Sequence, residues 1–348
     1  MTAFTEEQKN EMSNVPKKRS WRQRWRSQHA QESRFAWLLI APTAIIVFGI
    51  VIFPAFFSIW ISFHDVTLSN LNNVFNADFV GLENYQRVIN DFAFAPGPLP
   101  ADWEQANLFG KIWLGLTKWN WGAAIVSVVY SFAATIWTVL LGLGAALLLN
   151  QPFKGRGVMR AVFLFPYIAP IVGVAFVWQW ILDPTPSGVL NYLLMSLGVI
   201  DLPIAYLATR GLALLIVIFF QGWRYFPFAM LMILARLQAI DLTMYEAADV
   251  DGASLWKKFW YITLPELRYV IGAIFLLRLM WTFNKFDDIF LLTGGGFGTK
   301  VLPVLTYEFS FRLRNFGQGA ATAMILLVIL IVFLALYVGI VMRNVEDE

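Results

Sequence analysis

Six stretches of the chain stay apolar long enough to cross a lipid bilayer, which takes about 20 residues at 1.5 Å rise over about 30 Å of hydrocarbon. They lie at about 35–63, 122–149, 158–182, 211–235, 269–292 and 318–342, separated by polar or glycine- and proline-rich segments. The first is most apolar from Phe35 to Ile52 and carries Pro42 and Pro54, which membrane helices tolerate when neighbours satisfy the freed carbonyls. It starts too late, runs too long and lacks the small-residue cleavage site of a secretion signal. The pattern predicts an all-α membrane protein: a polar tail over 1–34 and a six-helix domain over 35–348.

Composition agrees and narrows the chemistry. Of 348 residues, 58% are hydrophobic and 14% charged, against about 45–50% and about 25% in soluble domains. Mean hydropathy is +0.61. The absence of cysteine excludes disulfides, thiol catalysis and cysteine-held metal centres. With only His29 and His64, a histidine-rich metal site is also excluded. A net charge of +3 is too small for a nucleic-acid binder. Its placement matters more. The tail, the 150–157 turn with the start of the next span, the 236–268 loop and the C-terminus hold sixteen lysines and arginines, and the opposite loops hold seven. The richer side faces the cytoplasm, so both termini are expected there. The tail, with Trp21 and Trp25 among its arginines, is expected to lie on the anionic inner leaflet.

The longest loop, 64–121, reads as an external interfacial cap. It has a turn at Phe79–Tyr85, helix to Asn90, Pro96, Pro98 and Pro100, then Trp103, Trp113, Trp119 and Trp121, which suit an aromatic belt. Asp183-Pro184 and the residues after it predict a turn and a short interfacial helix ending at Gly198. Gly294-Gly295-Gly296 with Gly298 reads as a turn at the end of a span. Lys300 is followed by Val301, not Ser or Thr, so the run is not a phosphate loop. No nucleotide motif occurs elsewhere, and the chain is not expected to hydrolyse ATP by itself.

The segment 241–265, between the fourth and fifth spans, reads as helix, glycine break and second helix. Asp241 is an N-cap, Gly252 stops the first helix and Pro265 stops or redirects the second. Ala247, Ala248 and Ala253 leave a surface without bulk. A partner could approach closely there, with Glu246 as a charged anchor; a plain connector lying on the membrane is an equal reading of the residues alone.

The pattern Glu246-Ala247-Ala248, Gly252, then Ile262-Thr263-Leu264-Pro265 resembles the EAA loop of permease subunits of bacterial ABC importers. Four further segments resemble the large permease subunit of the maltose-type carbohydrate-uptake family: Phe79–Tyr85, Phe153-Lys154-Gly155-Arg156-Gly157 with Phe165-Pro166-Tyr167, Phe286-Asp287 through Gly296, and Phe316–Ala321. Departures lie in the basic tail, the insertion at about 91–118, and after the glycine pair, where the family often has proline and this chain has Gly296 and Phe297. The resemblance implies a six-helix type I ABC importer transmembrane fold in the bacterial inner (plasma) membrane, forming half of a pore. It implies as partners a second permease subunit, two ATP-binding subunits that hold the ATP and Mg, and an extracytoplasmic solute-binding protein. Glu246, Ala247, Ala248, Asp251, Gly252 and Leu255 would then couple to the ATPase. An exposed ion pair is worth about 0–1 kcal/mol, so Glu246 would set register while packing at Ala247, Ala248 and Leu255 supplied affinity.

Charge at mid-bilayer costs about 2.5–3.5 kcal/mol on insertion scales and marks a cavity or a partner. In span four, Gln221, Tyr225 and Phe228 share a helical stripe with Arg224 beside it. In span five, Thr282, Lys285 and Asp288 fall three apart, and Lys285 can pair with Asp288. One reading is a self-neutralised structural cluster; the other is a polar cavity for a hydroxylated solute. The family resemblance implies the second, with Tyr167, Gln221, Arg224, Tyr225, Phe228, Thr282 and Lys285 as substrate-binding candidates. Arg224 and Lys285 depart from the maltose-type pattern and admit another disaccharide or an anionic glycoside. A secondary transporter driven by H⁺ or Na⁺ through Asp287 and Asp288 is the alternative, weakened by the lack of a visible inverted repeat. A membrane enzyme comes third, since no nucleophile–base pair or metal set is present.

Overall fold

The computed structural model describes residues 36–93, 104–105, 107, 111 and 121–346, with side chains of the last helix to residue 339. The basic tail and most of the 91–118 insertion, including Pro96, Pro98, Pro100, Trp103 and Trp113, lie outside the described residues. The chain forms two compact units, Met1–Ser58 and Ile59–Glu348. The helices are α1 (Ala36–Ser62), α2 (Glu83–Val88), α3 (Ala123–Asn150), α4 (Arg156–Ile168), α5 (Ile171–Ile181), α6 (Val189–Ser196), α7 (Leu212–Leu237), α8 (Leu242–Val250), α9 (Leu255–Lys258), α10 (Leu264–Phe283), α11 (Asp287–Thr293), α12 (Leu302–Tyr307) and α13 (Phe316–Glu346). Two isolated bridges, His64 with Phe79 and Thr67 with Asn315, are the only β pairing among the described residues.

Four helices, α1, α3, α7 and α13, are long and apolar enough to cross a membrane as single pieces. The expected third span is instead the pair α4 and α5, bent by 94°. Ala169 precedes Pro170 and takes an extended ψ of 141°, as residues before proline do. Pro170 has no N–H for the carbonyl of Pro166 four residues back, so the helix cannot run through. The expected fifth span also differs. α10 carries Glu266, Arg268 and Arg278 and ends at Phe283, and a non-helical stretch at 284–286 separates it from α11.

Prolines shape other helices without stopping them. Pro54 and Pro265 each follow a π-turn, at Phe48–Ile52 and Phe259–Thr263 respectively, which absorbs the missing N–H hydrogen bond. Pro265 therefore sits in the first turn of α10, where proline is favoured. The expectation that it ends a second coupling helix is corrected: α9 runs through its π-turn straight into α10.

The core gathers on α3 and α7. A Cβ on Gly142 would lie 2.5 Å from that of Ala229, and one on Gly222 would run into the indole of Trp137, so both glycines set how closely these helices approach. Val139, Ala146 and Leu149 of α3 pack with Met230, Ile233 and Leu237 of α7 and with Leu267 and Ile274 of α10. A second cluster joins Val126, Tyr130 and Phe220 to Ile289 and Leu292 of α11. The Phe79–Tyr85 turn has a structural task. Buried Asn84 donates to the carbonyls of Ser62 (3.1 Å) and His64 (3.0 Å), and the Tyr85 hydroxyl lies 2.6 Å from that of Ser62. α6 and the left-handed Gly198 match the expectation for 183–210.

Candidate functional site

Two regions carry the chemistry. The first is the loop holding α8 and α9. The Asp241 carboxylate accepts from the backbone N–H of Thr243 at 2.9 Å, and this hydrogen bond holds its pKa below the ordinary carboxylate value. At the other end Gly252, at φ 74°, closes α8 in a Schellman motif. Its N–H donates to Asp249 O (3.0 Å) and that of Ala253 to Ala248 O (2.9 Å). Lys258 pairs with Asp249, and the Tyr245 hydroxyl meets Thr263 Oγ1 at 2.9 Å, so both helices are tied to the base of α10. Glu246, Ala247, Asp251, Gly252 and Leu255 are exposed, and Ala248 is half-buried. Sequence reasoning missed how apolar this surface is: Val250 is 89% exposed, Leu255 83% and Trp256 69%. Large apolar side chains left bare outside the spans suit an interaction surface.

The second region surrounds Tyr225. Gln221 is fully buried. The hydrogen-bond network sets its amide: Nε2 donates to Asp288, and Oε1 accepts from Arg278 (3.0 Å) and Thr282 (3.2 Å). The Tyr225 ring has Arg278 Cζ at 4.4 Å from its centroid, Lys285 Nζ at 5.0 Å and Arg224 Cζ at 5.6 Å. The Tyr167 ring meets it edge-on at 6.1 Å. Six of the seven candidates, Tyr167, Gln221, Arg224, Tyr225, Thr282 and Lys285, are therefore drawn together. Phe228 lies one turn further along α7, against Trp281 at 5.3 Å.

Two expectations change in detail. Because the helix is interrupted at 284–286, Thr282, Lys285 and Asp288 do not share one continuous helix face, and Lys285 pairs with Asp287 at 3.0 Å rather than with Asp288. Arg224, 6% exposed, spends its guanidinium on backbone: Nη1 donates to Pro166 O (3.1 Å) and Nη2 to Ala169 O (2.9 Å). These are the carbonyls at the α4–α5 bend, one of them deprived of its helical donor by Pro170. Arg224 thus clamps the bend through both Nη atoms while its guanidinium also stays beside the Tyr225 ring. Asp288 and Arg278 are buried members of the cluster that the candidate set omitted, and so is Tyr130, whose hydroxyl has no hydrogen-bond partner among the described residues. Among the described residues no group of three His, Asp or Glu side chains could hold a metal.

A family model described as a binding-protein-dependent transport system inner membrane component matches residues 138–346. The chain belongs to that family. The permease is 33% identical over 310 residues to the trehalose/maltose transport system permease protein MalF of Thermococcus litoralis, covering 88% of this chain and 93% of the relative. It is 31% identical over 299 residues to the inner membrane ABC transporter permease protein YcjO of Escherichia coli, covering 85% and 90%. Its fold matches the crystal structure of a bacterial ABC transporter involved in import of the acidic polysaccharide alginate, with TM-score 0.70 and 20% identity over 91% of this chain and 99% of that one. The permease is accordingly a multi-pass inner-membrane component of an ABC importer and not its ATPase. The ion-driven alternative finds no support.

Proposed function

We propose that the permease is half of the translocation pore of an ATP-driven carbohydrate importer, with both termini in the cytoplasm. The observation that carries this reading is the exposed α8–Gly252–α9 surface, with Glu246 standing beside bare Val250 and Leu255, on a chain whose relative is a trehalose/maltose permease. A second permease subunit completes the pore. Two ATP-binding subunits, holding ATP and Mg, receive α8 and α9, and a solute-binding protein delivers sugar from outside. Closure of the ATPases draws the coupling helices together and turns the pore outward, and hydrolysis resets it. The polar ring around Tyr225, with Gln221, Thr282 and Lys285, supplies hydroxyl-binding groups at mid-membrane.

The test is uptake of labelled maltose and trehalose by vesicles that carry the whole complex and are loaded with ATP. Uptake is expected to stop when internal ATP is removed and to survive collapse of the proton gradient with ATP held constant. The reverse dependence would overturn the proposal.

A further inference from the structure

Two positive charges stand together at the start of α4 with no negative charge beside them. Arg156 opens the helix and Arg160 follows one turn later, so both side chains leave the same face. They converge on a neutral group. The hydrogen-bond network sets the Gln238 amide so that its Oε1 accepts from Arg156 Nη2 at 2.7 Å and from Arg160 Nη2 at 3.3 Å. Neither arginine pairs with a carboxylate among the described residues. Arg236, two residues before Gln238, has Glu266, and Asp241, three residues after it, is turned to the Thr243 N–H.

Guanidiniums that share one amide oxygen repel each other, and each keeps a buried Nε with no acceptor among the described residues. An anion between them answers both. The backbone adds to this. Gly155, at φ 90°, gives α4 no side-chain cap. A Cβ on Gly155 or Gly157 would meet nothing within 4 Å, so the first N–H groups of this 13-residue helix face open space. Phe153, Lys154 and Met159 are exposed around the pair. A basic pocket between the ends of membrane helices, flanked by bare apolar side chains, suits a phospholipid headgroup. Acyl chains would cover Phe153 and Met159, whereas a free phosphate would leave that flank bare.

We infer that Arg156 and Arg160, with Gln238 between them, hold the phosphate of an anionic phospholipid of the cytoplasmic leaflet. The inference rests on the cytoplasmic placement of the 150–157 turn. Gln238 caps α7 three residues before Asp241, so the bound lipid ties the foot of the bent span to the start of the coupling loop.

The experiment uses the whole transporter in mild detergent, exposed to phosphatidylglycerol with a photoreactive diazirine in its headgroup, and maps the adducts by mass spectrometry. Labelling of residues 153–160 and 238 is expected, about tenfold stronger than with the phosphatidylcholine analogue. Unlabelled phosphatidylglycerol is expected to compete, and inorganic phosphate at the same concentration is not. R156Q with R160Q is expected to lower labelling there about tenfold and leave labelling elsewhere unchanged. R156K with R160K, which keeps the charges but not the forked donors, is expected to fall between. Equal labelling by both lipids, an unchanged glutamine variant, or displacement by inorganic phosphate would overturn the inference. So would an unlabelled segment, the result if a carboxylate of an ATP-binding subunit fills the site. The wild-type comparisons decide the matter even where the glutamine variant fails to assemble. Placement is tested apart from this: Lys154→Cys in sealed right-side-out vesicles is expected to resist an impermeant thiol reagent. Reaction from outside would overturn the cytoplasmic placement, and the leaflet assignment with it.

Discussion

Arg224→Met tests whether the bend in the third span is held by a side chain. Pro170 deprives Pro166 O of its helical donor, and Arg224 replaces it while also holding Ala169 O. Hydrogen bonds with a charged partner contribute about 1.5–3 kcal/mol, and a buried carbonyl left unpaired costs about 1–3 kcal/mol. Membrane side-chain hydrogen bonds average nearer ~0.6 kcal/mol, because the alternatives also find partners. Here the competing donor is missing by covalent structure, so the larger scale applies, and the expected loss is about 2–4 kcal/mol. The chain has no cysteine, so spin labels at Val158→Cys on α4 and Val177→Cys on α5, both exposed, report the bend directly. R224M is expected to melt earlier in detergent and to broaden the label–label distance, with Arg224→Lys between it and wild type. Wild-type stability and an unchanged distance in R224M would refute the clamp.

Gly222→Val drives a side chain into the Trp137 indole and is expected to cost about 1–3 kcal/mol by overpacking; unchanged thermal stability would mean α3 and α7 can separate freely. The Asp241 cap has a pH signature. Its folded pKa is lowered by the Thr243 N–H, so its stabilisation is complete above the unfolded value and lost as pH falls through the folded one. An NMR titration should find the Thr243 amide constant near neutrality and moving only in acid, with Asp241→Asn abolishing the movement.

Much of this is legible in the sequence because it is local. Asp241, Gly252 and Gly198 act through their own backbone, and each does what its residue type dictates. The bend is written in the four-residue spacing of Pro166 and Pro170, yet apolar length alone suggests a straight span. That Arg224 holds the bend is not legible for a related reason: its partners are carbonyls 55 and 58 residues away, and no periodicity marks them. Pro265 reads as a stop because proline breaks helices in general, whereas the π-turn before it lets the helix continue.

The central claim is that α8 and α9 seat the permease on an ATP-binding subunit. A Val250→Cys substitution, in a chain with no other cysteine, places one thiol on the most exposed apolar residue of that surface. Treatment of membranes with a short thiol-to-amine cross-linker is expected to give a single adduct containing the ATP-binding subunit, and Glu246→Arg with Gly252→Pro is expected to abolish it while the chain stays inserted. No adduct, or one with another membrane chain alone, would contradict the account.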